Sequence, residues 1–202
     1  MSKKSIKTKQ KILDAATELF LEKGVDRVGV REIAAKADIN LSLMNYYFQT
    51  KENLFETIFD ILVKDKAEQL RLILESDLSI EDKIRDYVNS YIDILIDKPV
   101  LVSFVMSIVH RNPDKIKTMG SILALYNSEK FCNHINAEAQ AGRVRSINPE
   151  QLYVSIISLI LFPFGIKELI SDRNKFSPQE YADFMVTRKN HIIDMVLSYI
   201  RV

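Results

Sequence analysis

Two short helical patterns meet at a tight polar turn in VREIAAKADINLSLMNYYFQTK, the stretch that covers residues 30–51. In the first pattern, Ile33, Ala34 and Ala37 fall on one face of a helix over about residues 30–37. Ala34 is small, so a second helix can approach it closely. We therefore predict a compact supporting helix that is followed directly by a change in chain direction.

The second helical pattern begins after Asn40. The side-chain oxygen of Asn40 is suited to accept a hydrogen bond from a backbone N–H of the next turn, as helix N-caps do. Met44 and Phe48 are spaced i and i+4, so they share a face and are expected to point inward with Ile39. The sequence thus predicts a second short helix that starts near residue 41.

This arrangement turns Leu41, Ser42, Asn45 and Tyr46 toward solvent. An exposed leucine beside these polar residues is unusual for a plain surface, but it suits a helix in the major groove of DNA. There asparagine pairs with adenine, serine serves several bases, and an apolar side chain contacts a thymine methyl group. Helix, turn, helix also occurs in ordinary helical bundles, so the pattern alone leaves both interpretations open.

The following helix start supplies candidates for contacts with the DNA backbone. Thr50 is placed to cap a helix that carries Lys51 in its first turn. We expect Lys51 and Tyr47 to contact phosphates on either side of the groove.

Residues before this stretch extend the pattern to three helices. Ile12, Ala16, Leu19 and Phe20 mark the buried stripe of a helix that Gly24 closes in a left-handed conformation. Residues 11–55, KILDAATELFLEKGVDRVGVREIAAKADINLSLMNYYFQTKENLF, closely resemble the TetR family of bacterial transcriptional regulators. The shared features are the aliphatic first helix, the glycine, the VREIA supporting helix, the YYF end of the second short helix and the TKENLF that follows.

The resemblance implies an all-α fold of about nine helices. A three-helix, helix-turn-helix DNA-binding head would occupy residues 1–50, and a larger helical ligand-binding and dimerisation domain would occupy residues 51–202. The expected base-facing residues are Arg31, Leu41, Ser42, Leu43, Asn45 and Tyr46. The expected phosphate contacts are Tyr47 and Lys51. Such a protein would bind a near-palindromic site in double-stranded DNA as a dimer and, as a repressor, would be released by a small molecule.

Some positions depart from the usual family pattern. Gly29 stands where a threonine or serine often caps the supporting helix and contacts phosphate, so one side-chain contact is expected to be missing. Asp38 replaces a common turn glycine, but aspartate tolerates a left-handed turn. Asn45 replaces a frequent tyrosine and, with Leu41 and Leu43, implies an operator different from those of relatives.

Positive charge is concentrated in the first quarter of the chain. The whole sequence has a formal net charge of +1, but residues 1–51 contain ten Lys or Arg against six Asp or Glu, a balance of +4. The remaining residues have a balance of −3. Five lysines near the start of the chain either follow DNA phosphates or belong to a solvated, disordered tail. They are Lys3, Lys4, Lys7, Lys9 and Lys11.

The rest of the chain is expected to consist of successive helices. The patterns predict helices over about residues 51–75, 79–96, 100–110 and 114–141, the last closed by Gly142. Two further helices are expected to begin at Asn148-Pro149 and at Ser177-Pro178.

The segment LYVSIISLILFPFGI, residues 152–166, is hydrophobic nearly all round, since eleven of its fifteen residues are apolar or Tyr. Pro163 and Gly165 interrupt it, and it is too short for a membrane span. Such a helix is either fully internal or covered on one side by a second copy of the chain. The family resemblance favours a homodimer through the last two helices.

The cysteine content points to a reducing compartment. Cys132 is the single cysteine and cannot form an internal disulfide, and no charged-then-apolar leader opens the chain. We therefore expect a cytoplasmic protein in which Cys132 is an inert thiol.

Two other functions compete with DNA binding. A helical-bundle enzyme is disfavoured because His110, His134 and His191 are widely spread and show no metal-ligand spacing, and no Gly-rich phosphate loop is present. We thus expect no catalytic residue, metal or cofactor. A helical protein-interaction module remains open, although the positive balance near Tyr47 and Lys51 favours DNA. The effector is placed by the family resemblance in the helices after residue 80, and its identity is not encoded in any motif.

Overall fold

Every regular element in the described part of the chain is helical. The computed structural model describes residues 3–99, 101–102, 105–106, 126 and 129–202. The first helices are α1 (Lys3–Lys23), α2 (Val30–Lys36), α3 (Leu41–Phe48) and α4 (Lys51–Glu75), with one turn of 3-10 helix at Val25–Arg27. They are followed by α5 (Ile80–Asp97), α6 (Glu129–Gln140), α7 (Pro149–Gly165), α8 (Lys167–Asn174) and α9 (Pro178–Ile200). The all-α prediction is confirmed, and the described residues contain nine α-helices.

The chain divides into two compact units, Met1–Lys64 and Asp65–Val202, at a point within α4. The first half of α4 belongs to the first unit because it buries large apolar side chains there, including Leu54 and Phe59. The rings of Phe20 and Phe55 meet edge to face, with their centroids 5.9 Å apart. The compact amino-terminal unit therefore extends past residue 50, where the sequence pattern puts the end of the DNA-binding head. The functional division at that residue stays a prediction.

Polar caps begin the helices of the second unit at the expected positions. Ser79, Asn148 and Ser177 each accept a hydrogen bond at their side-chain oxygen from the backbone N–H three residues later. Gly142 follows α6 with a φ of +71°, a conformation that favours glycine. These ends depend on local chemistry, which explains why the sequence alone located them.

The core of the second unit lies where α5 packs against α7 and α9. Val88 and Ile92 of α5 and Ile192 of α9 are completely buried. Between α5 and α7, the hydroxyl groups of Tyr87 and Tyr153 lie 3.3 Å apart inside the unit. Their mutual hydrogen bond satisfies two polar atoms that would otherwise be costly to bury.

Helix α7 has one buried face instead of being covered all round. Tyr153, Ile156 and Ile160 are buried, whereas Val154 and Phe162 are exposed. The helix ends at Gly165, and the short α8 follows. The sequence did not predict α8 because this helix buries none of its residues and so has no apolar stripe.

Most positions of the helices predicted over residues 100–110 and 114–141 lie outside the described residues. Helix α6 accounts for the end of the second predicted helix.

In the described part of the chain no single helix has the length and apolar character to cross a membrane. Helices α7 and α8 meet that test only as a pair, and they are bent by 63°.

Candidate nucleic-acid interface

Four residues, 37–40, join α2 to α3. Asp38 adopts a φ of +54°, and the N–H of Ile39 donates to the carbonyl oxygen of Ala34 at 3.0 Å. The side chain of Asn40 then accepts a hydrogen bond from the N–H of Leu43 at 2.8 Å. The predicted N-cap is therefore confirmed, and aspartate takes the left-handed conformation expected of it.

The inner face of α3 is fixed by the core of the first unit. Met44 and Phe48 are buried there, as are Ile33 and Ala34 of α2. Because Met44 and Phe48 are both buried, the rotation of this short helix about its own axis is set. The direction of its outer side chains is consequently determined by the core.

The outer face of α3 presents the side chains that the sequence assigned to the bases. Ser42, Asn45 and Tyr46 are exposed, and the exposed fraction of Tyr46 is 76%. Leu41 and Leu43 are half-buried at the edges of this face. The five candidates on α3 are thus exposed or half-buried and Arg31 is exposed on α2, while their contacts with bases stay a prediction.

Tyr47 is engaged within the protein. Its hydroxyl group donates a hydrogen bond to Oγ of Ser5 in the first turns of α1, at 2.9 Å. The Tyr47 ring also meets the ring of Tyr46 edge to face, with centroids 5.2 Å apart. The residue expected to contact phosphate therefore ties α3 to α1 in this structure.

Lys51 is also engaged within the first unit. Its ammonium group donates to the carbonyl oxygen of Val28 at 2.7 Å, just before α2 begins. An ammonium group has three N–H donors, so this bond leaves donors for a phosphate. Thr50 caps the start of α4 as predicted, because its Oγ1 accepts from the N–H of Asn53 at 3.1 Å.

Two other basic residues of this unit are paired with carboxylates. Lys23 contacts Glu32 at 2.6 Å, and Lys36 contacts Glu18 at 2.7 Å. The hydrogen bond with Glu32 raises the pKa of Lys23, and the same bond lowers the pKa of Glu32. The positive charges of Lys23 and Lys36 are thus offset by carboxylates of the same unit. The basic residues near α3 that lack such a partner are better able to bind an anion from outside the protein.

The sequence did not identify the contacts that α1 makes with α3. The early lysines were expected either to follow DNA phosphates or to form a disordered tail, and α1 is helical from Lys3 onward. Ser5 contacts Tyr47, and the ammonium of Lys9 lies 5.7 Å from the centroid of the Phe48 ring. Ser5 and Lys9 are spaced i and i+4, a signal in the sequence that they share a helix face.

Known structures share this fold over nearly the full chain. The transcriptional regulator FadR from Bacillus subtilis, solved in complex with stearoyl-CoA, superposes with a TM-score of 0.66 and 18% identity, over 95% of this chain and 99% of FadR. At that identity the likeness concerns the fold.

The amino-terminal segment carries the closer similarity. The family model for bacterial regulatory proteins, tetR family, matches residues 12–58, the segment that contains α2 and α3. The probable HTH-type transcriptional regulator YttP of Bacillus subtilis (strain 168) is 45% identical over 51 residues, which are 25% of each chain. This amino-terminal segment is therefore similar to the TetR family.

A second curated relative matches over a similarly short length. An HTH-type transcriptional repressor of Mycobacterium tuberculosis (strain ATCC 25618 / H37Rv) is 41% identical over 51 residues, 25% of this chain and 27% of the repressor. The chain thus matches about a quarter of the length of these curated relatives. The proteins that this segment matches are named as transcriptional regulators.

Proposed function

We propose that this chain is a TetR-family protein that regulates transcription by binding double-stranded DNA through α3. The observation that carries the proposal is the exposure of Ser42, Asn45 and Tyr46 on a helix whose other face is locked by Met44 and Phe48. A rigid helix with polar side chains on its outer face is the element that reads base edges in the major groove.

Each outer side chain has a role in this proposal. Asn45 pairs with adenine, Arg31 with guanine, and Ser42 with either of several bases, whereas Leu41 and Leu43 contact thymine methyl groups. Tyr46 lies beside these side chains and contacts bases or sugars at the edge of the site. Lys51, next to the start of α2, contacts a backbone phosphate and fixes the register.

A homodimer through α7 and α9 is the second part of the proposal. Both helices expose large apolar side chains in this chain, and these are Val154, Phe162, Phe184, Val186, Met195 and Tyr199. A groove of about 460 Å³ lies between the two helices, with Leu159 and Met195 among its lining residues. A second copy would cover this surface and place two α3 helices on successive half-sites, which lie about 34 to 36 Å apart on DNA.

Release by a small molecule is the third part. FadR is a relative in fold that binds stearoyl-CoA. In the second unit, a groove of about 630 Å³ beside the break between α7 and α8 is lined by Val102, Met106 and Phe164 together with Lys167 and Glu168. Its size and its mixture of apolar and charged groups are those of small-molecule sites. An effector that binds better to a dimer with a different half-site spacing would weaken DNA binding by linkage.

We propose that the protein represses transcription and that it acts in the cytoplasm. The relative from Mycobacterium tuberculosis is named a repressor, which supports that sign. The reducing environment agrees with a chain that has one cysteine.

The proposal is tested by selecting fragments of genomic DNA with the purified protein and footprinting the bound fragments. We expect a near-palindromic site with two protected half-sites, and affinity that falls steeply as salt is raised. Candidate metabolites are then screened for release of the selected fragment. Recovery of no sequence above background, or binding that is insensitive to salt, would contradict the proposal and favour a protein-interaction module.

A further inference from the structure

The first turns of α1 lie against the end of α3, and this contact bears on how the protein holds DNA. Ser5 and Lys9, which occupy one face of α1, meet Tyr47 and Phe48 respectively. The Ser5–Tyr47 hydrogen bond is 2.9 Å long, and the Lys9 ammonium is 5.7 Å from the centre of the Phe48 ring. A lysine from α1 is therefore held beside the end of the base-reading helix.

The charge of Lys9 is positioned without being neutralised. The ring of Phe48 attracts the ammonium through its electron-rich face and leaves its full positive charge. Among the residues that the structure describes, no carboxylate pairs with Lys9, in contrast to Lys23 and Lys36. Lys9 is half-exposed, so its N–H donors can reach an external oxygen.

Tyr47 differs from Lys9 in its capacity to donate a hydrogen bond to DNA. Its phenolic hydrogen is used in the bond to Ser5, so in this arrangement the phenol has no hydrogen left for a phosphate. What the bond does is hold α1, and Lys9 with it, against α3.

From this geometry we infer that Lys9 is a phosphate ligand in the DNA complex and that Tyr47 is a positioning residue that acts through Lys9. The inference rests on the proposed DNA-binding function and assigns part of its backbone contact to α1. It replaces the direct phosphate contact that the sequence suggested for Tyr47 and leaves that of Lys51 in place.

The first experiment compares Lys9→Gln with Lys7→Gln on the selected DNA fragment and on an unrelated duplex. Lys7 is an exposed lysine of the same helix, roughly 200° around the axis from Lys9, so it is a matched control for charge. Loss of one phosphate contact makes the slope of log affinity against log salt shallower by about 0.9 per half-site and lowers affinity about eightfold per half-site at 0.1 M salt. We expect this loss for Lys9→Gln on both duplexes, and a much smaller one for Lys7→Gln.

The second experiment asks whether Tyr47 acts through Lys9. Tyr47→Phe removes only the hydroxyl group, and we expect it to weaken DNA binding in the wild-type background but not in the Lys9→Gln background. Additive losses would mean that Tyr47 contacts DNA directly and would overturn its positioning role. Lys9→Arg retains the charge and is expected to restore the salt slope.

The outcomes separate the inference from the function on which it rests. If the wild-type protein selects no DNA, the proposed function fails. If the wild-type protein binds DNA and Lys9→Gln keeps the wild-type slope, or if Lys7→Gln changes the slope equally, only the role of Lys9 fails. Circular dichroism and thermal unfolding of each variant show whether the helical fold is kept, and the Lys9→Arg slope decides the case for any variant with altered stability.

Discussion

Arg188 donates two hydrogen bonds to the carbonyl oxygen of Leu159, from Nε at 3.2 Å and from Nη2 at 3.0 Å. Leu159 lies four residues before Pro163, whose ring nitrogen has no hydrogen to donate inside the helix. The guanidinium group on α9 therefore replaces the helical hydrogen bond that Pro163 removes from α7. Burial lowers the pKa of Arg188, but an arginine stays charged at any ordinary pH.

Replacing the guanidinium should destabilise the fold through this carbonyl group. We predict that Arg188→Met lowers the free energy of unfolding by about 1 to 3 kcal/mol, because a carbonyl oxygen is left without a partner. The measurement is urea unfolding at one fixed protein concentration, since dimerisation makes stability depend on concentration. In a Pro163→Ala background the loss should be smaller, because alanine supplies the missing N–H. Equal losses in the two backgrounds would contradict this interpretation.

Asn45 should affect which base is preferred more than overall affinity. We predict that Asn45→Ala reduces discrimination at one base pair of each half-site by about 1 to 3 kcal/mol, the value of a good bidentate contact. The measurement compares binding to the selected fragment with binding to fragments that carry single base changes. Lys51→Ala should instead weaken binding to all of these fragments by a similar factor.

Asn40→Ala is the matched control for this experiment. It changes the same residue type at the N-cap of the same helix, so it should lower stability by about 1 kcal/mol without altering the order of preferred bases. If Asn45→Ala also left that order unchanged, Asn45 would not be a base contact.

Local chemistry made much of the fold predictable. The caps at Asn40, Thr50 and Ser79 bond to backbone groups three residues away, so the sequence contains both partners. The burial of Met44 and Phe48 follows in the same way from helical spacing, and with it the exposure of the outer face of α3.

Contacts between distant segments were not predictable from spacing. Tyr47 and Lys51 were both expected to face phosphate, yet their hydrogen-bond partners lie 42 and 23 residues away in the sequence. Which polar atoms meet across such distances depends on how helices pack, and a pattern along one helix does not contain that information. The pairing of Arg188 with Leu159 was missed for the same reason.

The exposed apolar face of α7 should determine whether the protein is a dimer. Phe162 is 64% exposed on that face, so Phe162→Glu would place a charge where a second copy is proposed to pack. We predict a shift from dimer to monomer in sedimentation velocity, together with a large loss of operator affinity.

Leu72→Glu is the matched control for the dimer prediction. Leu72 is 55% exposed on α4, away from α7 and α9 in the sequence, and its substitution should leave the dimer intact. A dimer that survives Phe162→Glu unchanged would exclude this face as the interface.

The pairing of Lys83 with His134 should make stability depend on pH. Lys83 is only 3% exposed, and its ammonium lies 3.0 Å from Nδ1 of His134. Because an ammonium group can only donate, Nδ1 is the acceptor and the ring is neutral in this arrangement. Burial and then the charge of Lys83 lower the pKa of His134, and Arg143 adds to this, although Glu138 acts in the opposite direction.

The direction of the effect follows from linkage. Since the pKa of His134 is lower in the folded protein than its ordinary value of about 6.5, the unfolded chain takes up the proton first as pH falls. The free energy of unfolding should therefore decrease as pH drops below about 6.5 and should level off below the folded pKa. His134→Gln keeps an acceptor for Lys83 and cannot be protonated, so it should flatten the dependence in this range. His191→Gln, which removes an exposed histidine of α9, should retain it. A pH dependence that is the same in wild type and His134→Gln would show that this pair does not control it.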